Sequence, residues 1–335
     1  MPDFANAGPG VVLSGGGFQV RRGVRYFSGE GFPKSGTSGT GVGRDGRGAP
    51  VGSIYTDDVT GVSFKNFGSA TSPYWYPTDF SQPKLLGWFS DWRDGAGKAH
   101  ADTAATATVA GSGIRVHGQG IAETDSGLVI TMTATDGKGA VGTLTTTDED
   151  AHTAVVSVGL GTTPVFQPDQ NGTVVVDTLL TNVSAITLRA AFLGFCGSAA
   201  DALDPLMTYS ATTISFADTI ADDVAGLTFS VELTDTDRWF APHDKANASA
   251  SIATTATGVD TGVDVAAAGT YQFLRTEVDA DGAVRMFIDK AQVASFAAGT
   301  LDTDEEIHPL VYVESTSTAV KAIAMRHFAT WGKVA

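Results

Sequence analysis

The feature that most constrains the fold is a long succession of short β-branched runs separated by turn residues. Within residues 99–335 we predict strands at five such runs, Ile114–His117, Leu128–Met132, Ala154–Val158, Thr173–Asp177 and Ala185–Arg189. Turn signals such as Asp136-Gly137 lie between them. Strands repeated at this spacing are typical of a β-sandwich. Helical periodicity is scarce, and Ser198–Leu206 is the best candidate for a short helix.

Composition supports an all-β chain of about two domains. Glycine supplies 40 of 335 residues and charged residues make up only 17%. This balance disfavours a helical protein, because glycine and β-branched residues are poor helix formers. Hydrophobic residues make up 42%, which argues against wholesale disorder. At roughly 150 residues per domain, the length predicts either about two domains or one large β-sandwich with an appendage, and it is ample for a sizeable core.

The segment after residue 265 has the clearest strand pattern. Polar and apolar residues alternate along Thr270–Val278, and Val284–Asp289 returns as a second strand. Between them, Asp281-Gly282 predicts a two-residue turn of type I′, because this turn needs a positive φ that glycine adopts easily. Further strands are predicted at Gln292–Phe296, Pro309–Glu314 and Ala322–Trp331.

Residues 1–52 form a glycine-rich segment with 15 glycines. Two interpretations stay open, an extended arm and a flexible linker. Interspersed apolar residues, among them Val20 and Val24, favour the arm, because linkers seldom carry such residues. The stretch Phe18–Phe27 alternates well enough to form a strand.

Residues 53–98 are predicted to form a small β unit that ends in an aromatic junction. Two alternating strands are expected at 52–57 and 62–67. Three aromatic residues, Tyr74–Tyr76, follow between two prolines, and two tryptophans lie within 88–92. This aromatic cluster is either a hydrophobic seam to the rest of the chain or a ligand platform.

The net charge of −16 is distributed unevenly along the chain. Residues 1–98 hold 10 Lys and Arg against 8 Asp and Glu, whereas residues 99–335 hold 11 against 29. An acidic body repels phosphates, so we expect no nucleic-acid partner. The near-neutral N-terminal part is better suited to docking on another surface, with the predicted sandwich of residues 99–335 facing solvent.

Targeting and redox signals are few. Cys196 is the one cysteine, so an intrachain disulfide is excluded. The first residues lack the basic and apolar regions of a signal peptide, and no apolar run approaches the roughly 20 residues of a membrane span. We therefore expect a protein that is made in a cytoplasm and has no membrane partner.

Two similar acidic runs, Thr147–His152 and Thr303–His308, are the strongest candidates for metal ligands. The alternative is a solvated loop before a strand, and neither run has the spacing of an EF-hand loop. Asp279–Gly282 resembles the start of a Ca²⁺ loop, but Ala283 and Val284 follow and supply no side-chain oxygen. We predict no metal site and no cofactor.

No sequence pattern indicates catalysis. The chain has neither a G-x-S-x-G nucleophile motif nor a G-x-x-x-x-G-K-[ST] phosphate loop, and its six histidines are scattered. Cys196 lies beside apolar residues and is expected to be a small buried hydrophobe. No acidic pair stands out as the facing carboxylates that glycoside cleavage requires. We predict a non-enzymatic protein without catalytic residues.

The stretch 164–335 resembles the concanavalin-A-like (laminin-G-like) β-sandwich of tailed-phage virion proteins. The residues that carry the resemblance are Phe192–Phe195, Asp237–Trp239, Tyr271–Gly282, Val284–Asp289 and Ile323–Trp331, and Gly46–Asp57 with Ala70–Trp75 resemble a segment of some phage structural proteins. Lys290 departs from the pattern, because glycine is common at that turn. The resemblance implies an all-β fold, with a glycine-rich N-terminal arm and small β unit followed by a concanavalin-A-like jelly-roll sandwich.

The resemblance also implies a structural role in a virion that is assembled in a host cytoplasm. We expect a capsid decoration or cement protein whose N-terminal region is anchored to the major capsid protein or another virion subunit. A closed homo-oligomer such as a trimer is expected, because most soluble oligomers are symmetric. The rival hypotheses are a carbohydrate-binding head- or tail-fibre adhesin for a host-surface glycan, and a glycan hydrolase.

The residues expected to contact the partner lie within the first 98 residues. Aromatic side chains and the only basic cluster of the chain are suited to a protein surface, although the cluster could equally be a solvated strand edge. The partner-contact candidates are Phe18, Arg21, Arg22, Tyr26, Tyr74, Trp75 and Tyr76.

Overall fold

A computed structural model gives the structure of the protein. It describes residues 13–14, 17–19, 24–42, 48–92, 99–100, 106–108, 114–117, 127–132, 140–146, 153–158, 165–183, 189–197, 206–217, 223–246 and 248–335. In the strands at 13–14, 17–19, 99–100, 106–108, 115–117 and 127–132 it describes the backbone alone. No helix within these ranges is long and apolar enough to cross a membrane.

Contacts between Cα atoms divide the chain into two compact units. Unit 1 comprises Met1–Leu86, Lys290–Gln292 and Gly332–Ala335. Unit 2 comprises Gly87–Asp289 and Val293–Trp331. Unit 1 therefore combines three separate stretches of sequence. The composition of the chain does not predict that the two short stretches belong with the N-terminal one.

Unit 1 is built on a six-stranded sheet whose strands follow chain order. They are β1 (Leu13–Ser14), β2 (Gly17–Gln19), β3 (Arg25–Gly29), β4 (Ile54–Asp57), β5 (Ser63–Asn66) and β6 (Trp75–Pro77). Neighbouring strands are antiparallel except β3 and β4, which run parallel. The described part of the predicted arm, including β3, thus shares one sheet with the predicted small β unit.

One face of this sheet carries an aromatic core. Phe64 packs edge-on against Phe32 with 4.8 Å between ring centroids. Trp75 packs edge-on against Tyr55 at 6.0 Å and against Phe27 at 6.3 Å. All five rings are at most 8% exposed. Such edge-to-face pairs add to the free energy of apolar burial, which helps a glycine-rich segment to fold.

Unit 2 contains two nine-stranded sheets. In spatial order, the strands of the first sheet are β22 (Asp260–Asp264), β19 (Arg238–Phe240), β18 (Val224–Ser230), β15 (Arg189–Cys196), β26 (His308–Ser315), β13 (Thr153–Val158), β10 (Ile114–His117) and β9 (Thr106–Thr108), with β20 (His243–Asp244) also paired to β18. The described registers within this sheet are antiparallel.

The second sheet of unit 2 is also antiparallel wherever its register is described. In spatial order its strands are β25 (Ala291–Phe296), β24 (Val284–Ile288), β23 (Gln272–Val278), β14 (Val174–Asn182), β27 (Ala322–Lys333), β12 (Ala140–Thr145), β11 (Gly127–Met132) and β8 (Ala99–His100), with β7 (Leu85–Ser90) also paired to β27.

The two sheets of unit 2 pack face to face. Strand β15 of the first sheet contacts β14 and β23 of the second. The hydroxyl of Thr276 in β23 donates to the carbonyl of Leu193 in β15 across the interface, at 3.4 Å. The predicted all-β class with a β-sandwich is therefore confirmed. The predicted strand Ala185–Arg189 and the predicted helix Ser198–Leu206 lie almost wholly outside the described residues.

A small third sheet and one short helix complete the described elements of unit 2. The sheet has the order β16 (Met207–Ser210), β17 (Thr213–Phe216) and β21 (Ser251–Ala253), and the helix is α1 (Pro168–Asn171). Tyr209 of β16 points into the apolar cluster that also holds Phe192 and Tyr312. Its hydroxyl lies 2.9 Å from that of Tyr312, so this buried polar pair is satisfied internally.

Two paired glycines make room for one ring of this cluster. Gly194 in β15 and Gly226 in β18 are register partners. A Cβ atom at either position would lie 2.6 Å or less from the ring of Phe192 and closer still to backbone atoms. Both positions therefore require glycine for the close approach of the strands, not for a turn.

The hairpin between β23 and β24 differs from the two-residue turn that the sequence predicted. The amide of Asp279 donates to the carbonyl of Ala283, and the amide of Gly282 donates to the carbonyl of Asp279. Gly282 has a φ of 75°. This is a three-residue loop, a type I turn followed by a left-handed glycine. The type I′ prediction was wrong, because an Asp-Gly pair fits both loops.

The next hairpin keeps its tight turn without glycine. Between β24 and β25, Asp289 has a φ of 50° and Lys290 a φ of 70°. Positive φ at both central residues is the signature of a type I′ turn. The amide of Phe273 donates to the Asp289 carboxylate at 3.0 Å, which helps to hold the turn. The departure at Lys290 therefore leaves the turn in place at a cost in backbone strain.

Candidate functional site

The outward face of the unit 1 sheet carries a row of half-buried to exposed side chains. Strand register places Tyr26, Ile54, Lys65 and Tyr76 side by side across β3, β4, β5 and β6. Register partners on a pleated sheet point to the same side, so these side chains share one face. The row therefore forms a continuous strip across four strands.

Two further aromatic rings extend this row into a patch. Phe67 packs edge-on against Tyr76 at 6.3 Å, and Tyr76 packs edge-on against Phe80 at 5.8 Å. The Nζ atom of Lys65 lies 5.3 Å from the centre of the Phe67 ring. Phe67 is 44% exposed. We call Tyr26, Ile54, Lys65, Phe67, Tyr76 and Phe80 the outer patch.

Alternation along the strands separates the outer patch from the core. In β5, Phe64 is buried and Lys65 is exposed, and in β6, Trp75 is buried while Tyr76 is half-buried. A half-buried strand normally presents polar residues to solvent. Here the outward positions hold aromatic rings as well, which makes this face the candidate functional site.

Asn66 fixes the two chain segments that carry the outer patch. Its side chain is fully buried. The Oδ1 atom accepts hydrogen bonds from the amides of Gly68 and Tyr74, each at 2.7 Å, and Nδ2 donates to the carbonyl of Ala49. These bonds fix the chain segments that carry Phe67 and Tyr76, so the arrangement of the patch is built into the fold.

Two of the predicted partner-contact residues, Tyr26 and Tyr76, lie on the outer patch. Tyr74 and Trp75 are each 2% exposed and belong to the core of unit 1. The Nε1 atom of Trp75 donates to the carbonyl of Thr40 at 3.2 Å. The alternation that points Tyr76 outward points Trp75 inward. Tyr74, which precedes β6, is buried as well, so neither Tyr74 nor Trp75 has surface to offer a partner.

The other predicted contacts are less fully described. Phe18, whose backbone alone is described, is the register partner of Tyr26 in β2. Arg21 and Arg22 lie outside the described residues. Sequence reasoning did not single out Lys65, Phe67 or Phe80. The alternation through 62–67 was a usable signal, because it places Lys65 and Phe67 on one side of the strand.

Apart from the outer patch, a cluster of charged side chains lies on the second sheet of unit 2. Asp177 in β14 and Arg275 in β23 are register partners, with 2.9 Å between Oδ2 and Nε. Arg275 also pairs with Glu277 at 3.2 Å, and Arg285 in β24 pairs with Glu277 at 3.1 Å and with Asp279 at 2.5 Å. All five side chains are at most 7% exposed. We call them the charge ladder.

His327 ends the charge ladder on strand β27. Its Nε2 atom lies 2.6 Å from a carboxylate oxygen of Asp177. Its ring packs against Phe89 and Phe273, with centroids 6.1 and 5.9 Å away. A register shift against β14 produces a bulge at Arg326 and His327. A bulge re-aims side chains locally, which brings the imidazole to Asp177.

The acidic runs differ from a metal centre wherever the structure describes them. Asp304, Glu305 and Glu306 are exposed, while His308 is buried in β26, where burial lowers its pKa to about 4. The exposed carboxylates and the buried histidine therefore do not converge. Among the described residues, no group of three or more His, Cys, Asp or Glu side chains is placed to hold a metal ion. The run Thr147–His152 lies outside the described residues.

Two sequence candidates for chemistry have structural roles. Cys196 is completely buried, and burial raises the pKa of its thiol far above the usual range. A thiol that stays protonated is a poor nucleophile. Asp279 accepts a hydrogen bond from Thr173 at 3.1 Å and pairs with Arg285, so its carboxylate belongs to the charge ladder.

Comparison with known proteins gives structural likenesses alone. The sequence matches no protein-family model and no curated protein. A protein of unknown function from Shewanella oneidensis MR-1 is similar over 75% of this chain and 87% of its own, with 12% identity and a TM-score of 0.48. At such values the likeness carries no information on function.

Two further solved structures are similar to this chain at the same level. The carbohydrate recognition domain of Emp47p matches 74% of this chain and 97% of its own, with 9% identity and a TM-score of 0.41. A carbohydrate esterase from the Shiga toxin-encoding bacteriophage phi24B matches 66% and 90%, with 10% identity and a TM-score of 0.38.

Proposed function

We propose that the protein is a non-enzymatic structural protein of a phage virion, a capsid decoration protein that attaches through the outer patch of unit 1. The outer patch carries this proposal. It presents Phe67, Tyr76 and Phe80 on a sheet that Asn66 holds in place. Rigid aromatic anchors of this kind dominate the binding energy of protein interfaces.

The charge of the chain supports attachment through its N-terminal part. Residues 1–98 are nearly balanced in charge, whereas residues 99–335 hold 29 acidic against 11 basic residues. The interiors of interfaces are depleted in charged residues, so the balanced part suits the contact and the acidic part suits solvent. The resemblance of the sequence to tailed-phage virion sandwiches supports a capsid or another virion subunit as the partner.

Immunogold electron microscopy with antibody against the full chain tests the proposed location. The sample is intact particles of the phage that encodes the chain. Label spread evenly over the head is the expected result. Label confined to fibre tips contradicts decoration and supports the adhesin hypothesis. Absence of label from intact particles overturns the virion role.

Replacing two aromatic residues of the outer patch tests the mode of attachment. We expect Phe67→Ser with Tyr76→Ser to weaken binding of the full chain to capsids that lack this protein by at least about tenfold. The reason is that each aromatic side chain buried on binding contributes about 1.5–3 kcal/mol. The measurement is co-sedimentation of the purified chain with capsids over a range of concentrations.

A matched control uses Val320→Ser, which removes another exposed apolar side chain, 43% exposed, from unit 2. This variant is expected to bind as the wild type does. Circular dichroism checks that both variants remain folded. Equal binding by the outer-patch variant and the control contradicts attachment through the patch.

The outer patch supports a second candidate function, that of a carbohydrate-binding adhesin. Exposed aromatic rings can stack on the apolar faces of sugars, and the Lys65 ammonium can donate to their hydroxyls. A glycan array probed with the full chain tests this reading. Binding that disappears with Phe67→Ser and Tyr76→Ser supports it, whereas an array without signal contradicts it.

A further inference from the structure

Among its six residues, the outer patch holds one charged group, the ammonium of Lys65. Strand register places Ile54 on one side of Lys65 and Tyr76 on the other. Phe67 follows two residues later, and the Nζ atom of Lys65 lies 5.3 Å from the centre of its ring. Apolar and aromatic side chains therefore flank the charge on three sides, so it lies within the patch and not at its rim.

Uncharged hydroxyl groups occupy the fourth side. Ser28, Thr56 and Ser63 are aligned across β3, β4 and β5, two residues along from the row that holds Lys65. They share its face of the sheet, because side chains two residues apart on a strand point the same way. The Thr56 and Ser63 hydroxyls bond to each other at 3.0 Å. This row therefore supplies no negative charge to the ammonium.

Within the described part of the chain, Lys65 forms no ion pair with a carboxylate. Asp57, at the end of β4, is fully buried and accepts hydrogen bonds from backbone amides. Asp79, next to Phe80, accepts a hydrogen bond from the amide of Ser81 at 2.8 Å. The Lys65 ammonium thus has an aromatic neighbour but no counter-charge among the described residues.

Docking on the outer patch removes this ammonium from water. Lys65 is exposed in the free chain, and its ammonium lies against Phe67. A partner that covers Phe67 and Tyr76 therefore covers the charge as well. Taking an ammonium out of water is costly unless an opposite charge compensates, and the face of an aromatic ring attracts a cation too weakly to do so. A wholly apolar partner surface is therefore disfavoured.

The group that compensates the charge is a carboxylate if the partner is a protein. At neutral pH, aspartate and glutamate are the side chains that carry negative charge in proteins. A lysine ammonium is a compact point charge, so one carboxylate oxygen at hydrogen-bond distance is enough to pair with it. The rings around Lys65 call for apolar side chains around that carboxylate, because each must find an apolar contact in the interface.

We propose that the virion subunit bound by the outer patch presents an aspartate or glutamate, surrounded by apolar side chains, to the ammonium of Lys65. This inference rests on the capsid attachment proposed above and specifies the chemistry of the partner. Lys65 then determines specificity, because a surface with an apolar or basic group at this point leaves the ammonium unpaired or repelled. The aromatic rings around it supply the affinity. A pair enclosed by rings is screened little, so salt changes its contribution only slightly.

Coupling with a water-soluble carbodiimide tests the contact directly. The sample is the full chain bound to capsids that lack this protein, taken from the phage that encodes the chain. The reagent activates a carboxylate, and a lysine amine in contact with it forms an amide bond. The carbodiimide takes up the elements of water and leaves as a urea. We expect mass spectrometry to find the Lys65 peptide joined to an aspartate or glutamate of a capsid protein.

The chain contains its own positive control for the coupling reaction. The Nζ atom of Lys245 lies 2.7 Å from a carboxylate oxygen of Asp302, so this pair is expected to couple within the chain. Bound chain that couples at Lys245 but not at Lys65 overturns the inference and leaves capsid attachment intact. A Lys65 link to a second copy of this chain overturns it too. Failure of the wild-type chain to bind capsids contradicts the proposed function, and the inference falls with it.

Substitution of Lys65 tests the energetic role of the pair in co-sedimentation with the same capsids. We expect Lys65→Met to weaken binding at least about thirtyfold at pH 7, the loss typical when one partner of a buried charge pair is truncated. Lys65→Arg keeps the charge and is expected to bind within about threefold of the wild type. The matched control is Lys84→Met, at an exposed lysine of unit 1 outside the patch, which leaves binding unchanged. Lys65→Met that binds as well as the wild type overturns the inference.

The pH dependence of capsid binding separates a lost ion pair from lost packing. In the complex with Lys65→Met, the partner carboxylate is buried without a counter-charge, so its pKa rises on binding. Binding of this variant then takes up a proton and strengthens as the pH falls from 7 to 5. The wild type keeps the carboxylate ionised and gains nothing over this range. Parallel pH profiles for the two proteins contradict a carboxylate opposite Lys65.

Discussion

Arg275 stabilises the sandwich through its two carboxylate partners. Its guanidinium is fully buried between Asp177 and Glu277 and lies 4.9 Å from the ring centre of Trp331. Arg275→Met keeps much of the side-chain volume but leaves carboxylates buried with one cation fewer. Breaking a buried pair in this way costs about 3–5 kcal/mol, so we expect a loss of this size in the free energy of unfolding. Chemical denaturation followed by circular dichroism measures it.

Arg326→Met is the matched control for this substitution. Arg326 lies on the same sheet, and its guanidinium is 4.5 Å from the ring centre of Tyr271. A cation–π contact at a partly exposed site is worth about 0.5–1 kcal/mol, so a small loss is expected. Similar losses in the two variants mean that the charge ladder adds nothing beyond an ordinary surface contact.

Because His308 is buried, we expect the free energy of unfolding to fall at acid pH. Burial lowers its pKa in the folded protein to about 4, whereas an unfolded histidine titrates near 6.5. Above about pH 6.5 both states are neutral and the full stability is present. As the pH falls from about 6.5 towards 4, the unfolded state binds a proton that the folded state does not, so stability is lost.

Comparison of His308→Gln with the wild type isolates this contribution. Between pH 7.5 and 5 the wild type should lose about 2 kcal/mol more unfolding free energy than the variant, from 1.4 kcal/mol per pH unit below about 6.5. The carboxylates are common to both proteins and cancel in the difference. Parallel pH profiles for the two proteins show that His308 does not titrate in the expected way.

At the scale of the element, the turn between β24 and β25 contains avoidable strain. Lys290 has a φ of 70°, a conformation that costs a residue other than glycine about 1 kcal/mol. Lys290→Gly is therefore expected to raise the unfolding free energy by about 0.5–1 kcal/mol. Lys290→Ala keeps the strain but removes the long side chain, so it separates the two effects. Glycine and alanine variants of equal stability contradict the strain.

Strand positions were predictable from the sequence to a useful degree. The predicted strands at Ile114–His117 and Ala154–Val158 correspond to β10 and β13. Local alternation and turn residues carry this information, because each depends on a few neighbouring side chains. The loop at Asp279–Ala283 was not predictable, since its length is set by hydrogen bonds between two strands and an Asp-Gly pair fits either length.

The candidate site was predictable only in part, for a related reason. The sequence predicted Tyr26 and Tyr76 as partner contacts because they are aromatic. It predicted Tyr74 and Trp75 for the same reason, and the structure buries both. For Trp75 and Tyr76 the distinction depends on which face of β6 packs on the core, and one residue of register reverses it. Tyr74 precedes β6 and is two residues from Tyr76, so alternation alone does not predict its burial.

At the scale of the whole molecule, the chain combines two surfaces with different chemistry. The outer patch is aromatic with one lysine, and residues 1–98 are nearly neutral. The region 99–335 is strongly acidic. If attachment uses the patch, apolar burial supplies the affinity, and the acidic regions of neighbouring copies oppose crowding through repulsion.

This division predicts how salt affects decoration of a capsid. Raising the ionic strength from about 0.1 to 1 M shortens the screening length from about 10 to 3 Å, which weakens repulsion between acidic neighbours. We therefore expect more copies per particle at high salt, measured by quantitative electrophoresis of sedimented capsids. The Phe67→Ser and Tyr76→Ser variant should remain poorly bound at both salt concentrations. A loss of bound copies at high salt instead indicates an interface held by ion pairs, and it contradicts attachment through the aromatic patch.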